Sequence, residues 1–364
     1  MRLVSVNSLQ AGVCLAKPVY NEHGFTLVNK GIPLTARMIE RLASLGISYV
    51  YIQDERISHI DVSSSISEEL RKEAVSFVES SFSQIVNESK TTQSFLLEKS
   101  MKGVVGLVRN FIQELKQNEN VLNLLADIYI YDDYVYSHSM NVTMYALALG
   151  MELKLSEDNL ETLGVGALLH DVGKVLVPIE ILDKPGKLTA GEFEEVKKHP
   201  EYGFELLRKV PTLSLLVAHC AYQHHERLDG SGYPRGLKGD HIHLFGKILA
   251  IADVYDAVTS HRVYRKAMLP HEGLEVLYAG AGTLFDKQMV ENFRKAVAVY
   301  PVGLGVVLSD GRKGVVSRQN QEMSDRPHVM ILEHSNGEKL QTSYEINLMK
   351  ELHIVITECD TTVI

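Results

Sequence analysis

The spacing of apolar positions changes character twice along the chain, from strand-like to helical and back, and four segments can be marked out. Over residues 1–60, short apolar runs alternate with turn formers: Val13 to Ala16, Pro18 to Tyr20, the Glu22-His23-Gly24 turn, then Phe25 to Val28. That alternation predicts short strands. Thr35 stands where it can N-cap a helix over Met38, Ile39 and Leu42, Gly46 is placed to stop it, and Tyr49 to Ile52 reads as a returning strand. The expectation is a small α+β module.

Residues 61–125 switch to a helical period. After Ser63-Ser64-Ser65, the positions Ile66, Leu70, Ala74, Phe77, Val78, Phe82 and Ile85 share one helix face. Leu97, Met101, Val104, Val108, Phe111 and Leu115 then step by 4, 3, 4, 3 and 4. Such a seam either pairs two copies of the chain or packs on its own domain. This segment is expected to be a helical linker, with homodimerisation as one role. From 126 to 300 the pattern stays helical. From 301 to 364 it returns to strands at Val306 to Leu308, Gly314 to Ser317, Val329 to Leu332 and Ile354 to Thr357, with turns at Ser309-Asp310-Gly311 and Ser335-Asn336-Gly337. A small C-terminal antiparallel sheet or barrel is expected, and the chain as a whole is mainly α.

Composition narrows the function. The chain has 364 residues, 45% of them apolar, enough for a conventional core and two to three domains. A net charge of −9 gives no overall basic footprint for a nucleic-acid backbone, so DNA is not an expected partner and any nucleotide must be held by a local site. Three cysteines, Cys14, Cys220 and Cys359, without CxxC spacing argue against a disulfide scaffold and a zinc ribbon. Neither a signal peptide nor a membrane span is visible, and a cytoplasmic location is expected.

Histidine is the informative residue. Ten of the fifteen fall between His138 and His271, where an even spread would place about five or six. An apolar helix from Leu163 runs into His170-Asp171, with Gly173 as its stop. His199 precedes Pro200, which biases it away from helical backbone, toward a break between helices. Leu213, Leu216, Val217, Cys220 and Ala221 form a helical stripe that His224 continues, with His225 beside it. Asp253 follows Ile248-Leu249-Ala250-Ile251-Ala252, an environment where an unpaired carboxylate would cost several kcal/mol. A metal is its simplest partner. His138 lies near the start of a further helix. Imidazole and carboxylate without thiolate favour iron or manganese over a structural zinc cluster or a calcium cage. Seven ligands are too many for one ion; two ions about 3.5–4 Å apart, bridged by Asp171, would suit in-line displacement at a phosphate ester.

The motifs His170-Asp171 with Gly173-Lys174, His224-His225-Glu226-Arg227-Leu228-Asp229-Gly230-Ser231-Gly232-Tyr233-Pro234, and Ala252-Asp253-Val254-Tyr255-Asp256-Ala257 resemble the HD-GYP family of bacterial cyclic di-GMP phosphodiesterases, a branch of the HD phosphohydrolases. The resemblance covers about residues 126–300 and implies an all-helical metal-dependent phosphohydrolase domain flanked by the two small modules. It implies hydrolysis of cyclic di-GMP to pGpG and on to GMP. It also implies one metal on His138, His170, Asp171 and Asp253, and a second on Asp171, His199, His224 and His225. Lys174 resembles the family lysine beside the scissile phosphate, Tyr233 would lie over the pocket, and Arg262 and Arg265 resemble positions that hold substrate phosphate or guanine. A diguanylate cyclase (GGDEF) domain is the partner implied for the Gly232-Tyr233-Pro234 loop. Members with three metals carry a glutamate where this chain has Tyr134, and Asp133 lies about 140° around the helix from that face, so two metals are expected. The family's Arg-Pro-Tyr-Arg reads Arg262-Val263-Tyr264-Arg265, and its Ile-Pro-Leu reads Ile242-His243-Leu244. His241 and His243 are expected to be loop residues rather than ligands. Two alternatives stand beside phosphodiesterase activity on cyclic di-GMP: a non-catalytic nucleotide sensor, or the same chemistry on another cyclic dinucleotide.

Overall fold

The structure is a computed structural model that describes residues 1–20, 26–57, 60, 76–78, 80, 82, 94–117, 135–182, 184, 186–260, 267–320 and 323–362, with backbone only for 94–99 and 135–137. It is a mainly helical fold flanked by a small N-terminal α+β module and a small C-terminal sheet. In the N-terminal module, β1 (Arg2–Ser5) pairs antiparallel with β4 (Tyr49–Ile52), and β2 (Val19–Tyr20) pairs with β3 (Thr26–Val28). Between β3 and β4, helix α1 (Ala36–Ser44) starts where expected, because the Thr35 hydroxyl accepts from the Met38 amide at 3.2 Å. Gly46 takes a left-handed φ of 86° just past its end.

The helical part comprises α2 (Ser94–Gln117), α3 (Val135–Glu152), α4 (Glu157–Leu168), the short α5 (Ile179–Leu182) and α6 (Ala190–Val196), α7 (His199–Leu207), α8 (Leu215–Gln223), α9 (Leu244–Thr259), α10 (Pro270–Ala279) and α11 (Lys287–Ala296). Helix α3 is buried on every side from Ser139 to Leu149, which marks it as the central helix. It packs against α4, α9 and α11. Of the seam read from the sequence, Met101, Val104, Val108, Phe111 and Leu115 are all buried in the core of their own domain. Gly164 makes that packing close: a Cβ there would stand 2.5 Å from a methyl of Val108. The linker helix expected over Ile66 to Ile85 falls almost wholly outside the described residues, although Val78 and Phe82 join the same core.

The C-terminal part is a five-stranded antiparallel sheet of order β8-β7-β6-β5-β9, built from β5 (Gly305–Leu308), β6 (Lys313–Arg318), β7 (His328–Glu333), β8 (Lys339–Asn347) and β9 (Ile356–Asp360). Strand β8 escaped the sequence reading because it is an edge strand whose residues are mostly solvated, so it lacks an apolar run. Strand β1 was also missed. Conversely, Val13 to Ala16 forms no named strand and contributes only isolated bridges, Cys14 to Pro33 and Leu15 to Ile52. The Glu22-His23-Gly24 turn lies outside the described residues. The two ends of the chain share one core: Leu3 bridges Leu304, and the Tyr51 hydroxyl donates to the Val302 carbonyl at 2.9 Å.

Since Phe111 is fully buried against its own domain, Phe111→Ala is expected to lower stability by about 3–5 kcal/mol. Denaturant melts at two well-separated protein concentrations should show the same loss. A loss that depended on concentration would instead put the seam at a subunit interface.

Candidate metal centre

Four helix ends and one helix middle converge on a single buried point. Helix α4, capped by Ser156, ends at Leu168, and the chain then turns through His170 and Asp171 into a 3-10 turn at Val172–Leu176. Gly173 allows this turn to press on the start of α7, since a Cβ there would lie 2.0 Å from the His199 carbonyl oxygen and 2.5 Å from the Gly203 nitrogen. The pre-proline rule led to a looser expectation for His199. It is in fact the first residue of α7, with Pro200 in the first turn where a missing amide hydrogen costs nothing. It still sits at the junction of two helices. His224 closes α8 and His225 follows it, His138 lies in the first turn of α3, and Asp253 sits in the middle of α9.

The ring orientations are fixed by backbone. Nδ1 of His170, His199 and His224 each reaches the carbonyl three residues earlier, on Ala167, Val196 and Ala221, at 2.7, 2.7 and 2.8 Å. A ring that donates through Nδ1 presents a bare Nε2 lone pair, and all three Nε2 atoms face inward. Nε2 of His199 and of His224 stand 3.2 Å apart, an arrangement of two lone pairs that is repulsive unless a cation lies against them. His138 is held by a carboxylate instead: its Nδ1 is 2.7 Å from Asp256 Oδ2. Nε2 of His138, Nε2 of His170 and Oδ1 of Asp171 are buried and have no hydrogen-bond partner. Buried polar atoms are rarely left in that state, and oxygen and nitrogen donors aimed at one point are the ligand chemistry of a divalent metal.

Asp171 divides the centre in two. Its Oδ2 lies 3.4 Å from His170 Nε2 and 3.6 Å from His138 Nε2, while its Oδ1 lies 3.3 Å from His199 Nε2 and 3.7 Å from His224 Nε2. Asp253 reaches both sides, with Oδ1 3.1 Å from His138 Nε2 and Oδ2 3.6 Å from His225 Nδ1. Among the described residues, two groups have the spacing to hold a metal: His138 with His170 and Asp171, and His199 with His224 and His225.

The electrostatics follow from burial and from these neighbours. Burial opposes ionisation of Asp171, but Lys174 and His170 outweigh it and hold the carboxyl well below the usual range. Asp253 is lowered likewise against its burial, by His138 and His225. Burial and the neighbouring imidazoles push His224 and His225 well below the ordinary histidine range. His138 goes the other way: burial lowers it, yet Asp253 and Asp256 together raise it to about 9.

Of the remaining sequence candidates, Lys174 Nζ lies 2.5 Å from Asp171 Oδ2. The Tyr233 ring leans over His225 at 4.6 Å between centroids. Arg262 and Arg265 lie outside the described residues. Two residues that stand in the quoted motifs, Asp256 and Glu226, were given no role by the sequence reading. Asp256, which orients His138, is one helical turn after Asp253, and that i, i+3 spacing was the available signal. Glu226 is buried and its carboxylate accepts from the amides of Arg235 and Leu237 at 2.9 and 2.8 Å, folding the Gly232-Tyr233-Pro234 loop back over the centre. Gly232 is required there, because a Cβ would stand 2.4 Å from the His225 carbonyl oxygen. His243 acts as the N-cap of α9, its Nδ1 accepting from Phe245 at 3.1 Å, and is not part of the centre.

Removing the carboxylate behind His138 by Asp256→Asn is expected to weaken metal binding about 10–100-fold, measured by competition with a chelator of known affinity. In the metal-free protein, His138 keeps a proton up to about pH 9 that the unfolded chain releases near 6.5, so stability falls as pH rises across that window. His224 and His225 refuse protons that the unfolded chain accepts, so stability also falls as pH drops below 6.5. Thermal melts of the metal-free protein should therefore peak near pH 6.5–7.

A family model described as an HD domain matches residues 92–289, and one described as a KOW domain associated with HD domain matches residues 305–362. A cyclic di-GMP phosphodiesterase of Pseudomonas aeruginosa is 40% identical over 225 residues, 62% of this chain and 54% of that protein. A cyclic di-GMP phosphodiesterase response regulator of Xanthomonas campestris pv. campestris is 45% identical over 141 residues, 38% of this chain and 37% of the relative. A 3'3'-cGAMP-specific phosphodiesterase of Vibrio cholerae is 38% identical over 168 residues, covering 46% of this chain and 36% of the relative. The chain spans about half or less of the length of these relatives. An HDG"Y"P protein from Bdellovibrio bacteriovorus shares the fold, with a TM-score of 0.50 at 17% identity over 80% of this chain and 97% of the other. With an HD model matched over more than half its length and a complete His224–Pro234 segment, the chain belongs to the HD domain family, in its HD-GYP branch.

Proposed function

We propose that this chain is a metal-dependent phosphodiesterase that hydrolyses cyclic di-GMP to linear pGpG and onward to GMP, lowering a bacterial second messenger. The observation that carries the reading is Asp171, a buried carboxylate whose two oxygens face two separate sets of inward Nε2 atoms. That donor set fits two divalent ions, iron or manganese by its chemistry, on His138, His170, Asp171 and Asp253 and on Asp171, His199, His224 and His225. Such ions would supply Lewis-acid polarisation of the phosphoryl oxygen and a nucleophile from water at neutral pH.

The chain's own residues do the rest. Three backbone carbonyls and Asp256 hold the imidazoles in one tautomer and one orientation, so the donors need no reorganisation on binding. Lys174, beside Asp171 Oδ2, places an ammonium where negative charge grows on the phosphate in the transition state. The loop folded by Glu226 sets Tyr233 over the mouth, where it excludes water from one side. Arg262 and Arg265 complete the reading as contacts to substrate phosphate or guanine. Three cGAMP-specific relatives give one specific ground for a second substrate, 3'3'-cGAMP, with the same chemistry.

The test is turnover of cyclic di-GMP and 3'3'-cGAMP, alone and in competition, by protein purified without oxygen and loaded separately with iron(II) or manganese. The expected result is hydrolysis of cyclic di-GMP with about two metals per chain. Asp171→Ala should cut metal content and abolish turnover, a loss of about a thousandfold or more. Full metal occupancy without turnover of either nucleotide would point to a sensor that keeps the site and lacks the reaction.

A further inference from the structure

Helix α6 leads directly into His199, and two residues at its end have no place yet in the chemistry. Phe193 is 45% exposed, unusual for a phenylalanine beside a buried centre. One turn later, Lys197 holds its ammonium 4.9 Å from the Phe193 ring centroid and 5.9 Å from that of Tyr233. Tyr233 in turn stands 4.6 Å from the His225 ring and 6.4 Å from that of His199. The ammonium is therefore fixed by two aromatic faces at the rim of the metal centre. Its single ion-pair partner among the described residues is Glu194, an i, i+3 neighbour at 2.6 Å whose side chain is mostly exposed. Such a surface pair is weak and easily exchanged.

A cyclic dinucleotide carries two phosphodiesters. Only one can lie at the metal ligands during a turnover, so the other must sit nearby on a group that neutralises it. The geometry points to Lys197, steadied by Phe193 and Tyr233, as the residue that binds the non-scissile phosphate of the cyclic dinucleotide, exchanging its Glu194 contact for the substrate. The assignment rests on the phosphodiesterase reading above and adds a specificity residue to it, because a substrate with a single phosphate gains nothing from Lys197. Aromatic faces are well matched to that role, since they hold the ammonium in place without neutralising its charge.

The test compares the KM for cyclic di-GMP with that for bis(4-nitrophenyl) phosphate, a small diester with one phosphate, in the metal-loaded protein of residues 1–364. Lys197→Met is expected to raise the KM for cyclic di-GMP about tenfold, the loss of one charge-assisted phosphate contact, with kcat, metal content and KM for the small diester unchanged. Glu194→Gln should move the first KM in the opposite direction, down about twofold, by freeing the lysine from its exposed pair. Unchanged KM for cyclic di-GMP in Lys197→Met, or equal loss on both substrates, would overturn the assignment and leave the phosphodiesterase reading standing. Wild-type protein that cleaves the small diester and leaves every cyclic dinucleotide intact would overturn both.

Discussion

A carboxylate at the crossing of four helix ends organises this molecule. Asp171 is buried almost completely, and a charge so placed is tolerated only if its surroundings answer it. Lys174 answers on one oxygen, and the inward imidazoles add lone pairs that, with Asp171 itself, suit the binding of metal. Everything near it serves that arrangement. The missing side chain of Gly173 lets two helices close on each other, α3 brings His138 through the middle of the core, and α9 delivers Asp253 and Asp256 one turn apart. The apolar packing supplies the stability that this polar centre consumes.

Most of the centre was legible in the sequence because its residue types contradict their context. His170-Asp171 at the end of an apolar helix, and Asp253 inside one, violate the ordinary partition of charge to the surface, and such violations are the places where function sits. Asp256 and Glu226 were not legible for the opposite reason. Each answers another polar group, so neither conflicts with its surroundings until the partner is seen in space. His243, expected as a loop residue and not a ligand, proves to cap the helix that carries Asp253.

The fold was legible where pattern and burial coincide. The mainly helical middle, the Thr35 cap and four of the five C-terminal strands follow from apolar spacing. Strand β8 defeats that logic because an edge strand with both faces largely wet has no apolar period to read. The heptad-like seam defeats it differently. Spacing along one helix shows which face is apolar and is silent on whose surface covers it, and here Gly164 and Val108 bring α4 of the same chain onto that face.

The pairing of Leu3 with Leu304 joins residues about three hundred positions apart. The helical domain lies between them in the sequence, so Leu3 can meet the segment around Leu304 only after that whole domain has been made. The small N-terminal module has its own apolar cluster, whereas Leu3, Tyr51 and Ile57 pack in the cluster that also holds Val302, Leu304 and Val306. Contacts of such sequence separation form late and slowly. A chain interrupted before residue 302 would therefore leave Leu3, Tyr51 and Ile57 without most of the apolar residues of their cluster.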